Sequence, residues 1–185
     1  MEVIKTKIEG VYIILPKVID DERGYFFESF NEKEFNEKTG AEFKPVQDNE
    51  SKSRRGVLRG LHFQDEPYAQ AKLVRVVKGM VYDVAVDLRP DSKTRGEYVE
   101  IILSEFNRNQ IFIPKGFAHG FIVLSDEAIF QYKCDEYYHS EAENGIAWDD
   151  KTINVAWPAA SKEGILLSNK DKNRQTYDEY ISNRK

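Results

Sequence analysis

Thiols and imidazoles are scarce in this chain of 185 residues, which holds one cysteine, Cys134, and three histidines, His62, His119 and His139. A lone cysteine excludes an intrachain disulfide and fits a reducing compartment, so a cytoplasmic location is expected. No apolar run reaches the roughly 20 residues of a membrane helix. The opening MEVIKTKIEG lacks the apolar centre of a secretory leader. A membrane role is therefore not expected. Lysine and arginine number 27 against 32 acidic residues, and the resulting net charge of −5 disfavours nucleic acid as a partner. A compact basic pocket for one small anion remains compatible with that balance. Sustained helical periodicity is missing as well.

What the chain does contain is short alternating segments. Candidate strands are VYIILP (11–16), YFFESF (25–30), GVLRGLHF (56–63), KLVRVV (72–77), MVYDVAVDL (80–88), YVEIIL (98–103), QIFIP (110–114), GFIVL (120–124) and AIFQYK (128–133). β-Branched and aromatic residues fill them, as half-buried pleated surfaces require. Turn formers divide them at Lys78-Gly79, Arg89-Pro90-Asp91, Asn107 to Asn109 and Ser125-Asp126. Many short strands without intervening helices predict an all-β jelly-roll sandwich or barrel. Two short peripheral helices are expected. One covers 31–40 and stops at Gly40; the other lies near the end, where Tyr177, Tyr180 and Ile181 share a face. ESKSRRG (50–56) reads as a solvated loop. One domain over 1–185 follows, with 11–16 and 25–30 forming an early hairpin or arm outside the main barrel.

VLRGLHFQ (57–64) sets Arg59 and His62 among residues that favour burial, and PKGFAHGFIVL (114–124) does the same with His119. A metal-binding jelly roll needs imidazoles and carboxylates converging on one point, commonly with two histidines one residue apart. The residue two beyond His62 is Gln64, whose amide ligates transition metals poorly, so no metal is expected. Imidazole is instead suited to acid–base work near neutral pH.

Several segments together resemble the dTDP-4-dehydrorhamnose 3,5-epimerase family within the wider cupin class: RGVLRGLHFQ (55–64), QAKLVRVVKG (70–79), IPKGFAHGF (113–121), QYK (131–133), DERGYFFESFN (21–31) and QDN (47–49). The likeness runs from about residue 3 to about residue 171, in the family's order and spacing. It implies an isomerase that needs no cofactor and acts on a dTDP-linked keto-sugar. Inverting a centre next to a ketone requires a base on one face, charge stabilisation at the oxygen and a proton source on the other face.

The resemblance assigns His62 as the base, with Asp171 in LSNKD as its orienter; Asp83 competes for that place. Lys72, which strand parity puts on one face with Val74 and Val76, becomes the stabiliser of the enolate oxygen, assisted by His119. Tyr132 becomes the proton donor. Arg23 and Arg59 match the family's diphosphate ligands, since their forked donors suit phosphate oxygens. Glu28, Gln47, Asn49 and Glu143 match nucleotide-bonding positions. Phe26 and Tyr138 are the candidates to stack on thymine, and Lys170 adds a phosphate contact.

Arg59 and His62 differ in strand parity, so a bulge or strong twist at Gly60 is expected if both face one pocket. The resemblance further implies a homodimer that exchanges the early strand segment, with Arg23, Phe26 and Glu28 serving the partner's pocket. The remaining readings are a single-centre epimerase or ketoisomerase on a dTDP-4-keto sugar, a non-catalytic sugar-nucleotide-binding cupin, and a metal-dependent cupin oxygenase.

Overall fold

Two antiparallel sheets face each other in a computed structural model that describes residues 1–159 and 164–184. The strands are β1 (Glu2–Lys5), β2 (Tyr12–Leu15), β3 (Ile19–Asp21), β4 (Gly24–Phe26), β5 (Gln47–Arg54), β6 (Leu58–Gln64) and β7 (Lys72–Lys78). They continue as β8 (Met80–Asp87), β9 (Tyr98–Ser104), β10 (Gln110–Ile113), β11 (Phe117–Val123), β12 (Glu127–Cys134) and β13 (Glu143–Gly145). One sheet has the order β1-β2-β10-β7-β12-β5 and the other β13-β6-β11-β8-β9. This is the jelly-roll sandwich that the alternation predicts, and its connections cross between sheets.

Alternation along each strand sorts the side chains into three apolar layers. Val74, Val76, Phe121, Phe130 and Ala85 belong to the layer between the sheets. On the outside of the first sheet, Leu73, Ile14 and Phe112 pack with Phe35 and Phe43. Helix α1 (Glu32–Thr39) supplies Phe35. Asn31 caps it by accepting from the Glu34 amide, and Gly40 ends it at φ 71°. Phe35 is its one buried side chain, so roughly 1.5–3 kcal/mol of burial docks an otherwise polar helix. On the outside of the second sheet, Leu61, Phe63 and Val84 pack with Tyr180. Tyr180 lies on α2 (Tyr177–Ser182), which Thr176 and Glu179 start with a reciprocal capping box. Lys185, at the end of that expected helical segment, lies outside the described residues. Among the described residues no helix is long and apolar enough to cross a membrane.

Two expectations need correction. Residues 50–56 are not a loop, because β5 runs from Gln47 to Arg54 and pairs with β12 along its whole length. Its inward residues are Gln47, Asn49, Ser51 and Ser53, so no apolar alternation announces it. Nor do 11–16 and 25–30 form a hairpin with each other. Tyr12–Leu15 is integrated between β1 and β10. Gly24–Phe26 pairs with Ile19–Asp21 in a separate ribbon, and that short ribbon is what remains of the arm.

Candidate active site

The irregularity expected at Gly60 is present. In the pairing of β6 with β11, His119 stands opposite His62 and Phe121 opposite Arg59. Three steps on β6 therefore match two on β11, which is a bulge. Directly opposed residues project from the same face, and His119 and Phe121 both point between the sheets, so Arg59 and His62 do too. Gly60 makes this possible with φ 140°; a Cβ there would lie 2.5 Å from the Gly120 Cα.

Both side chains line a cavity of about 340 Å³, together with Asp171, Glu143, Lys170 and Arg174. The His62 side chain is 34% exposed, neither sealed under the core nor free in bulk water. Its Nε2 lies 2.5 Å from Asp171 Oδ1, and Asp171 is itself 4% exposed. Burial alone would raise the Asp171 carboxyl. The hydrogen bond and charge of His62, with Ser168, instead bring it below the ordinary carboxylate value. Ser168 Oγ donates to Asp171 Oδ2 at 2.9 Å. Asp83 does not hold His62; it holds His119, whose Nε2 is 3.0 and 2.9 Å from its two carboxyl oxygens.

Lys72, Tyr132 and His119 do not line this cavity; they lie deeper, in the space between the sheets. Register places Tyr132 across from Val74 on one side and Asn49 on the other, and Cys134 between Lys72 and Gln47. The Lys72 Nζ is 5.9 Å from the centre of the Tyr132 ring. Burial lowers the Lys72 ammonium, against the attraction of Cys134 and Asp83. Burial likewise raises the Tyr132 phenol, with Cys134 adding to the shift and Arg59 opposing it. The Cys134 thiol is pushed up to about 11, chiefly by burial. Among the described residues no group of three His, Cys, Asp or Glu side chains converges as a metal site. The Gln64 amide is committed to backbone: its nitrogen donates to the Tyr68 and Tyr137 carbonyls at 2.6 and 3.1 Å, and its oxygen accepts from the His139 amide at 2.7 Å.

Glu143 organises the rim. Tyr138 Oη, Lys170 Nζ and an Arg174 Nη2 donate to its carboxylate at 2.7, 2.6 and 2.7 Å. Burial would raise this carboxyl, but Lys170, Tyr138 and Arg174 bring it down to about 2. Gln47 accepts from the Tyr138 amide at 2.9 Å and donates to Asn49 at 3.0 Å, so β5 connects to the rim. Arg59 Nε donates to Ser53 Oγ at 3.1 Å. Arg23, Phe26 and Glu28 are not brought to this cavity. All three are exposed on or beside the ribbon, and Arg23 pairs with Asp21. Arg54, Ser168 and Arg174 line the cavity without having been singled out in the sequence, where each stands in a polar run that carries no periodic signal.

Ionisable side chains converging inside a jelly roll, with a His–Asp pair open to a basic cavity, form a cupin-type site suited to proton transfer on an anionic ligand. The family model described as dTDP-4-dehydrorhamnose 3,5-epimerase matches residues 5–179. The dTDP-4-dehydrorhamnose 3,5-epimerase of Shigella flexneri is 56% identical over 177 residues, 96% of each chain. A crystal structure of the enzyme of that name from Elizabethkingia anophelis shares 47% identity, covers 97% of each chain and superposes with a TM-score of 0.92. The dTDP-6-deoxy-D-glucose-3,5-epimerase of Legionella pneumophila, solved in complex with dTDP-4-keto-L-rhamnose, is 47% identical with a TM-score of 0.92, over 96% of this chain and 93% of that one. The chain belongs to the dTDP-4-dehydrorhamnose 3,5-epimerase family, and it is an epimerase.

Proposed function

We propose that this chain converts dTDP-4-dehydro-6-deoxy-D-glucose to dTDP-4-dehydro-L-rhamnose in rhamnose biosynthesis, by proton abstraction and return at the two carbons flanking the ketone. Asp171, ionised, accepts a hydrogen bond from the Nε2–H of His62, which leaves the Nδ1 lone pair to take a proton from carbon. The bonding pair moves onto the ketone oxygen. Lys72 holds that oxyanion electrostatically, with His119 as a second donor. Tyr132 delivers its hydroxyl proton to the opposite face of the carbon, and solvent exchange restores His62 and Tyr132 for the second centre. The nucleotide is held by Arg59 and Lys170 at its phosphates, by Gln47, Asn49 and Glu143 through hydrogen bonds, and by Tyr138 stacked on thymine.

The observation that carries this reading is His62 bonded to a buried, ionised aspartate while its ring stays open to a cavity bearing arginine and lysine. Turnover in heavy water tests it. Deuterium is expected at both carbons next to the ketone; label at one carbon means a single-centre epimerase, and none means a binding protein without catalysis.

The same reading includes a homodimer. Phe26 is 70% exposed, Tyr25 and Ile19 each 55%, on a ribbon that two copies would bury. Arg23, Phe26 and Glu28 then complete the site of the second copy. A single buried cysteine supports residence in a reducing cytoplasm.

A further inference from the structure

Of the two cavity arginines that the reaction above does not use, Arg54 and Arg174, the second lies beside the His62–Asp171 pair. Arg174 follows directly after the short 3-10 turn Asp171–Asn173, which carries the aspartate bonded to His62. From there its side chain runs over β13. A Cβ built on Gly145 would lie 2.9 Å from the Arg174 Nε and 3.0 Å from its Cδ. Gly145 is also the residue opposite His62 in the pairing of β13 with β6. The guanidinium thus crosses beside the base through a gap that exists because residue 145 has no side chain, and ends on Glu143 Oε1 at 2.7 Å. It is 13% exposed, and its Nε is buried without a partner among the described residues.

We propose that Arg174 is a positioning residue for the His62–Asp171 pair, fastening the turn that carries Asp171 to the strand that lies beside His62. Two further ties hold the same segment: Gln175 Nε2 donates to Asn144 Oδ1 at 2.7 Å, and the Ala147 amide donates to the Gln175 carbonyl at 2.8 Å. Both attach residue 175, beyond the turn. Lys170, just before Asp171, also bonds Glu143 but is 68% exposed, whereas Arg174, at 13%, supplies the buried side-chain tie to the same carboxylate. The charge acts in the same direction as the geometry. Burial raises the Asp171 carboxyl, and Arg174 joins His62 and Ser168 in bringing it down, which favours the ionised form that orients the ring. A guanidinium is suited to this task because it stays charged and its planar fork loses little freedom when fixed.

This inference rests on His62 acting as the base. The test compares Arg174→Met, which keeps length and loses charge and bond, with Arg174→Lys, which retains a cation able to reach Glu143. Misplacing a base without removing it costs on the order of 10- to 100-fold in rate. Arg174→Met is expected to lower kcat by that factor, while the Kd for dTDP, measured by calorimetry, stays within about twofold. Arg174→Lys is expected to recover most of the loss. Thermal melts on each variant exclude unfolding, and Arg174→Gln carries the comparison should the methionine variant not fold. The proposal is overturned if kcat is unchanged, if the defect lies in dTDP affinity alone, or if lysine restores nothing. A His62→Ala variant assayed alongside separates the two levels. Should His62→Ala retain turnover, the underlying reading fails; should it be inactive while Arg174→Met is normal, only the role of Arg174 fails.

Discussion

His62 and His119 stand directly opposite each other on neighbouring antiparallel strands, and each is held through Nε2 by its own aspartate. The two pairs differ in access. His62 is 34% exposed at its side chain and His119 is 9% exposed. In the proposed mechanism the outer pair exchanges protons with substrate and solvent, and the inner one presents a fixed donor to the oxyanion. Asp171→Asn is accordingly expected to lower kcat by about 10²–10⁴-fold, with the dTDP Kd nearly unchanged. Steady-state kinetics with calorimetry check this; unaltered kcat would remove Asp171 from the mechanism.

Tyr132 is expected to act after carbanion formation rather than before it. Tyr132→Phe should suppress product formation while some exchange of substrate hydrogen with heavy water persists through His62. Mass spectrometry of recovered substrate reads this directly. A phenylalanine variant with ordinary turnover would show that the proton comes from elsewhere.

Lys72 allows a pH argument whose sign follows from burial. Its folded-state value lies below 10.5, so the unfolded chain binds the extra proton in the interval between them. Stability then rises as pH climbs through that interval, and activity that needs the ammonium declines on the alkaline side before pH 10.5. Lys72→Met removes a charge that folding must desolvate. Its Tm should rise, at about 2–4 °C for each kcal/mol in a chain of this size, while turnover falls sharply. A lower Tm with retained turnover would contradict the assignment.

Glu143 gives the opposite sign. Its carboxyl is held at about 2 in the folded protein against an ordinary 4.5. Its contribution to stability is present above pH 4.5 and lost as pH falls from there toward 2. The stability gap between the wild-type protein and Glu143→Gln should therefore narrow in that interval, measured by urea unfolding at stepped pH. A gap independent of pH would mean that the three donors do not bind the carboxylate in solution.

The composite site has a complementation test. Arg23→Ala and His62→Ala subunits are each expected to be nearly inactive alone. Mixed under conditions that allow exchange, they should regain activity, because a heterodimer then contains one site with both residues intact. Recovery that never exceeds the sum of the separate variants would place Arg23 outside the neighbouring site.

Legibility in the sequence followed the physics of each element. Apolar alternation marked β7 to β12 well, because the inward faces of those strands pack against one another. It failed at β5, whose inward Gln47, Asn49, Ser51 and Ser53 are polar and leave no hydrophobic trace. The bulge was readable from the mismatch in parity between Arg59 and His62 with a glycine between them. The choice between Asp83 and Asp171 was not, since it depends on a contact spanning 109 residues of chain. Arg174 was invisible for a related reason: the gap it crosses is created by Gly145, far away in sequence and adjacent only after folding.

Gly60 and Gly120 meet backbone to backbone where β6 crosses β11, and a methyl group on Gly60 would fall 2.5 Å from the Gly120 Cα. Neither residue has a functional group, yet catalytic competence is as hostage to them as to the imidazole itself. Random mutagenesis scored by turnover should accordingly return loss-of-function alleles at two positions where chemistry alone would give no reason to look.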